Sequence, residues 1–224
     1  MDLILLLVAL LVSLAAQGYI TSSYNKYKKV LSKKNITGFE VARMILDSHG
    51  LENIYVTETN GILQDHYDPT RKTIRLSNDI FHGTSIASCA VASHEVGHAI
   101  QDKENYKFFK IRSMMFPLVN FASYAGYFAI FIGILFGSMN LFWIGIAFEM
   151  IILLYQIVTL PVEFDASNRA LNELKKHGIL TNKELEESKT MLKAAALTYV
   201  AGVLSTILQI LRLIFIFGNS NRKD

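Results

Sequence analysis

Two histidines and a glutamate stand at a spacing suited to hydrolytic chemistry, in His94-Glu95-Val96-Gly97-His98. On a helix, residues four apart share one face, about 6 Å apart along the axis. Imidazole nitrogens there can both approach one ion at about 2.0–2.1 Å. Glu95 is turned about 100° from His94 around the helix. Its carboxylate can therefore point beside the ion, where a general base for an attacking water belongs. Zinc lowers the pKa of its water from about 15.7 to about 7 and polarises a scissile carbonyl. The spacing predicts one catalytic zinc ion serving peptide hydrolysis.

A catalytic zinc needs a third protein ligand and leaves its fourth position to water. Cys89 is the single cysteine, so no thiolate cluster can supply it. A third histidine six residues after His98 would mark the metzincins, but Glu104 stands there, and Gln101 replaces the expected glycine. Two acids remain. Asp102 lies four residues after His98, one further turn along a straight helix. Glu163 follows Pro161 and opens the polar stretch Glu163-Phe164-Asp165-Ala166-Ser167-Asn168-Arg169. It is favoured because a membrane hairpin returns it near the height of the motif.

The elements that must position these residues are mostly apolar helices. Hydrophobic residues make up 51% of the 224 and charged residues 18%. Four stretches are long enough to cross roughly 30 Å of hydrocarbon: about 3–20, 114–137, 141–160 and 194–217. The first could be a cleaved signal peptide, but its flanks oppose this. Asp2 precedes it, and Lys26, Lys28, Lys29, Lys33 and Lys34 follow, whereas a signal peptide carries its positive charge in front. That order places the N-terminus outside and the following residues in the cytoplasm. Residues 21–113, with 13 Lys+Arg and 10 Asp+Glu, and 161–193, with six of each, are then cytoplasmic. The tail falls outside, against a weak contrary signal from Arg222 and Lys223. Glu149 and Arg212 lie within spans and are read as bundle-packing features. The net charge of +3, spread among acids, argues against a nucleic-acid partner.

The first cytoplasmic stretch reads as folded. Thr37-Gly38-Phe39-Glu40 forms a capping box, followed by Phe39, Ala42, Ile45 and Leu46 at helical spacing. Residues 54–57, 62–66 and 72–76 read as short strands, with a turn at Asp68-Pro69-Thr70. A buried helix over 84–102 carries the motif. Asp65-His66-Tyr67-Asp68 reads equally as a structural turn or as an edge hairpin that holds an extended peptide. In the second case His66 or Tyr67 polarises the transition state.

Together with Arg75-Leu76-Ser77, His94 through Gln101 and Leu160 through Ser167, that segment resembles the YugP-type membrane zinc metallopeptidases. The layout is also similar to HtpX-like and CAAX-processing membrane proteases. The resemblance implies that His94, His98 and Glu163 are metal ligands and Glu95 the catalytic base. Those relatives place an aspartate four residues after the glutamate ligand, beside a zinc histidine. Here Ser167 holds that position and the aspartate is Asp165, so the resemblance leaves the role of Asp165 open.

The expected fold is a predominantly α-helical integral membrane protein, with about four transmembrane helices and a small α+β zincin-like cytoplasmic domain. Its parts are an anchor at 1–20, a zincin-like region at 21–113, a transmembrane hairpin at 114–160, a cytoplasmic helical segment with the third ligand at 161–193, and a last transmembrane helix and tail at 194–224. The expected protein is a multi-pass zinc metalloendopeptidase of a bacterial cell membrane, facing the cytoplasm and cutting peptides or membrane proteins. Two rivals are an intramembrane-cleaving zinc protease and a non-catalytic scaffold. The scaffold would use a fourth protein ligand, such as Asp102 or His66, because structural zinc sites are closed.

Overall fold

A computed structural model describes residues 2–220, so Arg222 and Lys223 lie outside the described residues. Among the described residues, seven helices and three strands follow one another: α1 (Asp2–Tyr27), α2 (Gly38–Ser48), β1 (Tyr55–Thr59), β2 (His66–Asp68), β3 (Thr73–Ser77), α3 (Asn78–Phe81), α4 (Ile86–Lys103), α5 (Lys107–Leu135), α6 (Met139–Lys176) and α7 (Asn182–Ser220). α1, α5, α6 and α7 are each long and apolar enough to cross a membrane. All four extend beyond the predicted spans. The helices run past the ends of the apolar stretches: α6 continues through Pro161, and the polar flank 182–193 is rich in the good helix formers Glu, Lys, Leu and Met.

The chain divides into two compact units. One comprises residues 1–17, 110–161 and 197–224, and the other 18–109 and 162–196. In the first unit, Phe142, Ile146, Leu153, Ile210 and Leu213 form a core. Many large side chains, including Tyr124, Phe131 and Phe136, are exposed.

The second unit holds all the candidate site residues. α2 begins with the expected box: Thr37 Oγ1 accepts from the Glu40 N–H at 3.2 Å, and the Thr37 N–H donates to Glu40 Oε2 at 2.8 Å. Val41, Ala42, Ile45 and Leu46 then form one buried face. Phe39, expected on that face, instead stacks on Phe81 with ring centroids 4.9 Å apart. The sheet order is β1-β3-β2, with β1 parallel and β2 antiparallel to β3. The middle strand β3 buries Ile74 and Leu76 completely. The predicted strand at 62–66 is displaced, since only His66–Asp68 pairs. Gly61 and Leu63 have positive φ, which breaks the extended backbone before His66. After β2, Asp68 Oδ1 accepts from the N–H groups of Thr70 and Arg71, making the predicted turn.

α4 starts at the Ser85 cap, where Ser85 Oγ accepts from the Ser88 N–H at 3.1 Å. On either side of that cap, Ile86 N–H donates to Val30 O and Ser32 N–H to Thr84 O. Most of α4 is buried, as its run of alanines and aliphatics predicts.

Candidate metal centre

Gly97 explains how the second unit brings α6 against the motif helix. A Cβ at this position would stand 2.7 Å from the Ala166 carbonyl oxygen and 3.2 Å from Ala166 Cα. Only glycine opposite alanine lets the two helices approach this closely. Gly97 lowers the helix propensity of α4 by about 1 kcal/mol relative to alanine, and the close contact offsets it. On α6, Glu163, Ala166, Ser167 and Ala170 recur at helical spacing, so the face that holds the contact also carries Glu163 and Ser167.

The result is a convergent donor set. Glu163 Oε2 lies 3.2 Å from His94 Nε2 and 3.7 Å from His98 Nε2. Among the described residues, His94, His98 and Glu163 form the one group whose ligand atoms all lie within 4.8 Å of one another. Ligands about 2.0–2.1 Å from a tetrahedral zinc are about 3.3–3.4 Å apart. Two imidazoles and a carboxylate at these separations therefore fit zinc with little movement. The Glu163 carboxyl is almost wholly buried. Burial would raise its pKa, but the His98 charge and hydrogen bonds from both rings outweigh it, and the carboxyl stays well below its ordinary range. A buried carboxylate kept ionised is the state a cation requires.

Glu95 lies outside the donor set but inside its field. Burial pushes its carboxyl above the ordinary range, the His94 and His98 charges pull it down, and Glu163 and Asp65 push it further up. A raised carboxyl pKa suits a group that must take a proton near neutrality and give it back.

The outer nitrogens of both rings are occupied. His94 Nδ1 faces Ser167 Oγ at 3.3 Å, and His98 Nδ1 faces Gln101 Oε1 at 3.0 Å. Gln101 is completely buried, and its Nε2 donates to Val162 O and to Asp165 Oδ2, each at 2.8 Å. Asp165 also accepts from Arg169 Nε at 2.5 Å, and Arg169 Nη1 reaches Glu104 Oε2 at 2.7 Å. Asp165 thus touches the site through an amide. Neither Gln101 nor Ser167 is marked as a site residue by the sequence pattern. A signal was present for the first: a glutamine one turn after His98 on an otherwise apolar helix must find partners.

The two alternative ligands are elsewhere. Asp102 accepts from Tyr67 Oη at 2.8 Å and pairs with Lys72 Nζ at 2.7 Å. Its extra turn along α4 carries it to the β2–β3 hairpin. His66 is exposed, with Nδ1 2.7 Å from Gln64 O, and is not in the donor set. Tyr67 is likewise turned inward, to Asp102 and the Phe109 ring. A cavity of about 350 Å³ lined by His49, Ile100, Glu104, Asp165, Arg169 and Glu173 contains no member of the donor set.

The profile of a family described as "Putative neutral zinc metallopeptidase" matches residues 2–218. The chain is also 43% identical over 220 residues to "Putative membrane protease YugP" of Bacillus subtilis (strain 168), covering 98% of each protein. No solved structure matches the chain. The chain belongs to this family of zinc metallopeptidases, and its four apolar helices agree with a membrane protein.

Proposed function

We propose that this family member is a membrane-bound metalloendopeptidase of the HExxH, glutamate-ligand type, and that it hydrolyses peptide bonds in peptides or membrane proteins. The carrying observation is the approach of Glu163 to His94 and His98, with Glu95 buried beside them. Three protein ligands leave one position for water, as a catalytic site requires. That a fourth ligand is absent among the described residues disfavours the structural scaffold. All three donors lie in the unit formed by residues 18–109 and 162–196, which disfavours a site built within the spans.

His94, His98 and Glu163 would hold one zinc ion, which when bound activates water and polarises the scissile carbonyl. Glu95 takes the proton from the attacking water and passes it to the leaving amine. The backbone edge of β2 not paired with β3 suits an extended substrate, whose main chain would add as a further strand. The lysines after α1 support a cytoplasmic location for the site.

Glu95→Gln tests the mechanism on purified full-length protein. The variant should retain wild-type zinc content and lose at least about 10²-fold in peptide hydrolysis, the usual contribution of a general base. Undiminished turnover would refute the assignment.

A further inference from the structure

The two histidines are supported in physically different ways. Ser167 Oγ, facing His94 Nδ1, can donate or accept, so this contact does not dictate which nitrogen of His94 carries a proton. Gln101 has no such freedom. Its side chain meets three groups: His98 Nδ1, the Val162 carbonyl and the Asp165 carboxylate. Two of these are acceptors only. The NH₂ must therefore face Val162 and Asp165, which leaves the carbonyl oxygen toward His98. The reversed amide would set an oxygen against two oxygens in a buried site, where unmade hydrogen bonds cost about 1–3 kcal/mol each.

We infer that Gln101 is the positioning residue of the metal centre: it holds the His98 proton on Nδ1, so that Nε2 is the nitrogen that gives its lone pair to the ion. The inference rests on the metal site proposed above and adds to it a direction of control. Asp165 determines the polarity of Gln101, and Gln101 determines that of His98. Arg169, held to both Asp165 and Glu104, keeps the Asp165 carboxylate in place. Asp165 thus supports a metal-ligating histidine through an intervening amide. The relay also explains why a fully buried glutamine stands on α4 one turn after the second histidine. An apolar residue would pack there but would leave Nδ1, Val162 O and Asp165 each short of a partner.

The test is zinc affinity of full-length protein in detergent, measured by competition with a chromogenic chelator, with the melting temperature of the metal-free protein as a folding control. Gln101→Met keeps bulk and removes the acceptor. It should weaken zinc binding about 10–100-fold, the usual effect of losing a partner behind a ligand, while the metal-free protein still melts cooperatively. Gln101→Glu combined with Asp165→Asn restores an acceptor toward His98 and a donor toward position 101. Val162 O loses its donor in this variant, so zinc affinity should recover in part, to clearly above that of Gln101→Met.

A folded Gln101→Met protein that binds zinc as tightly as wild type overturns the inference. So does a double variant that binds no better than Gln101→Met. If Gln101→Met does not fold, the double variant decides alone, because it keeps the shape of the site and the hydrogen bond to His98. Wild-type protein that binds no zinc would instead refute the metal site itself, which separates the two failures.

Discussion

The two units solve the burial problem in opposite ways. In the unit containing residues 110–161, Tyr124 is 74% and Phe136 75% exposed. Close helix contact relies on small residues, as at Gly133, where a Cβ would stand 2.7 Å from Phe142 N. In the site-bearing unit, Ile45, Ile74, Leu76 and Ile86 are all 0% exposed, and polar side chains are tied into hydrogen-bonded chains. The first pattern suits an apolar solvent, in which exposing a phenylalanine costs nothing. The second suits water, which drives apolar burial and exacts a penalty for unmade hydrogen bonds. Hydrolysis needs the second kind of environment, because water must reach a pre-ordered set of polar groups. The candidate metal ligands His94, His98 and Glu163 accordingly fall wholly within that unit.

The comparison breaks first at Gly97, where α4 packs against α6. Gly97→Leu would drive a side chain into Ala166 and force the helices apart. The account expects loss of stoichiometric zinc and of cooperative unfolding in that unit, with destabilisation of about 3 kcal/mol or more. Metal analysis and calorimetry check this. Retained zinc would show that the α4–α6 contact does not set the ligand distances.

A second prediction applies the same change to both units. Phe131 is 54% and Tyr55 71% exposed. Phe131→Asp should cost about 3 kcal/mol if residue 131 faces lipid, since an acid at a helix centre is disfavoured by about 2.5–3.5 kcal/mol. Tyr55→Asp, on a water-facing strand, should change stability by no more than about 0.5 kcal/mol. Membrane-insertion yield reads the first and thermal unfolding the second. Equal tolerance at both sites would contradict the two-solvent reading.

The smallest effect concerns Glu184, which caps α7 by accepting from Thr181 N–H and Oγ1 and also takes the Lys33 N–H at 2.8 Å. Burial raises its carboxyl, but these bonds prevail and hold it below the ordinary range. A group whose folded pKa is lowered stabilises the protein above its unfolded value and loses that contribution as pH falls through the folded value. Glu184→Ala should therefore cost about 1 kcal/mol near neutrality. The gap from wild type should shrink in acid below the ordinary carboxylate range. A gap that widens in acid would reverse the sign of the argument.

Local chemistry made much of this legible in the sequence. The Thr37–Glu40 box, the buried helix around His94 and four apolar stretches each follow from nearest-neighbour preferences. Other features depend on contacts far apart in the chain. The parallel pairing of β1 with β3, with β2 on the far side of β3, has no local signature. Polar helix over 161–193 was expected, but its continuity with the spans on either side was not, because hydropathy registers only where apolarity ends. At the candidate site, spacing led to the expectation that His94 and His98 share a face, and the return of a hairpin to the expectation that Glu163 approaches them, as it does. Gln101 and Ser167 were not legible, because their roles exist only once α6 lies against α4. The open question of Asp165 had the same origin: its link to His98 crosses from one helix to the other through a glutamine.

The central claim is that His94, His98 and Glu163 hold a zinc ion with a position left for water. X-ray absorption on zinc-loaded full-length protein addresses it most directly. The account expects two imidazole nitrogens and one or two oxygens at about 2.0–2.1 Å. It further expects Glu163→Ala to lose a carboxylate oxygen from that shell and to weaken zinc binding. A spectrum unchanged by Glu163→Ala, or a shell closed by four protein ligands, would contradict it.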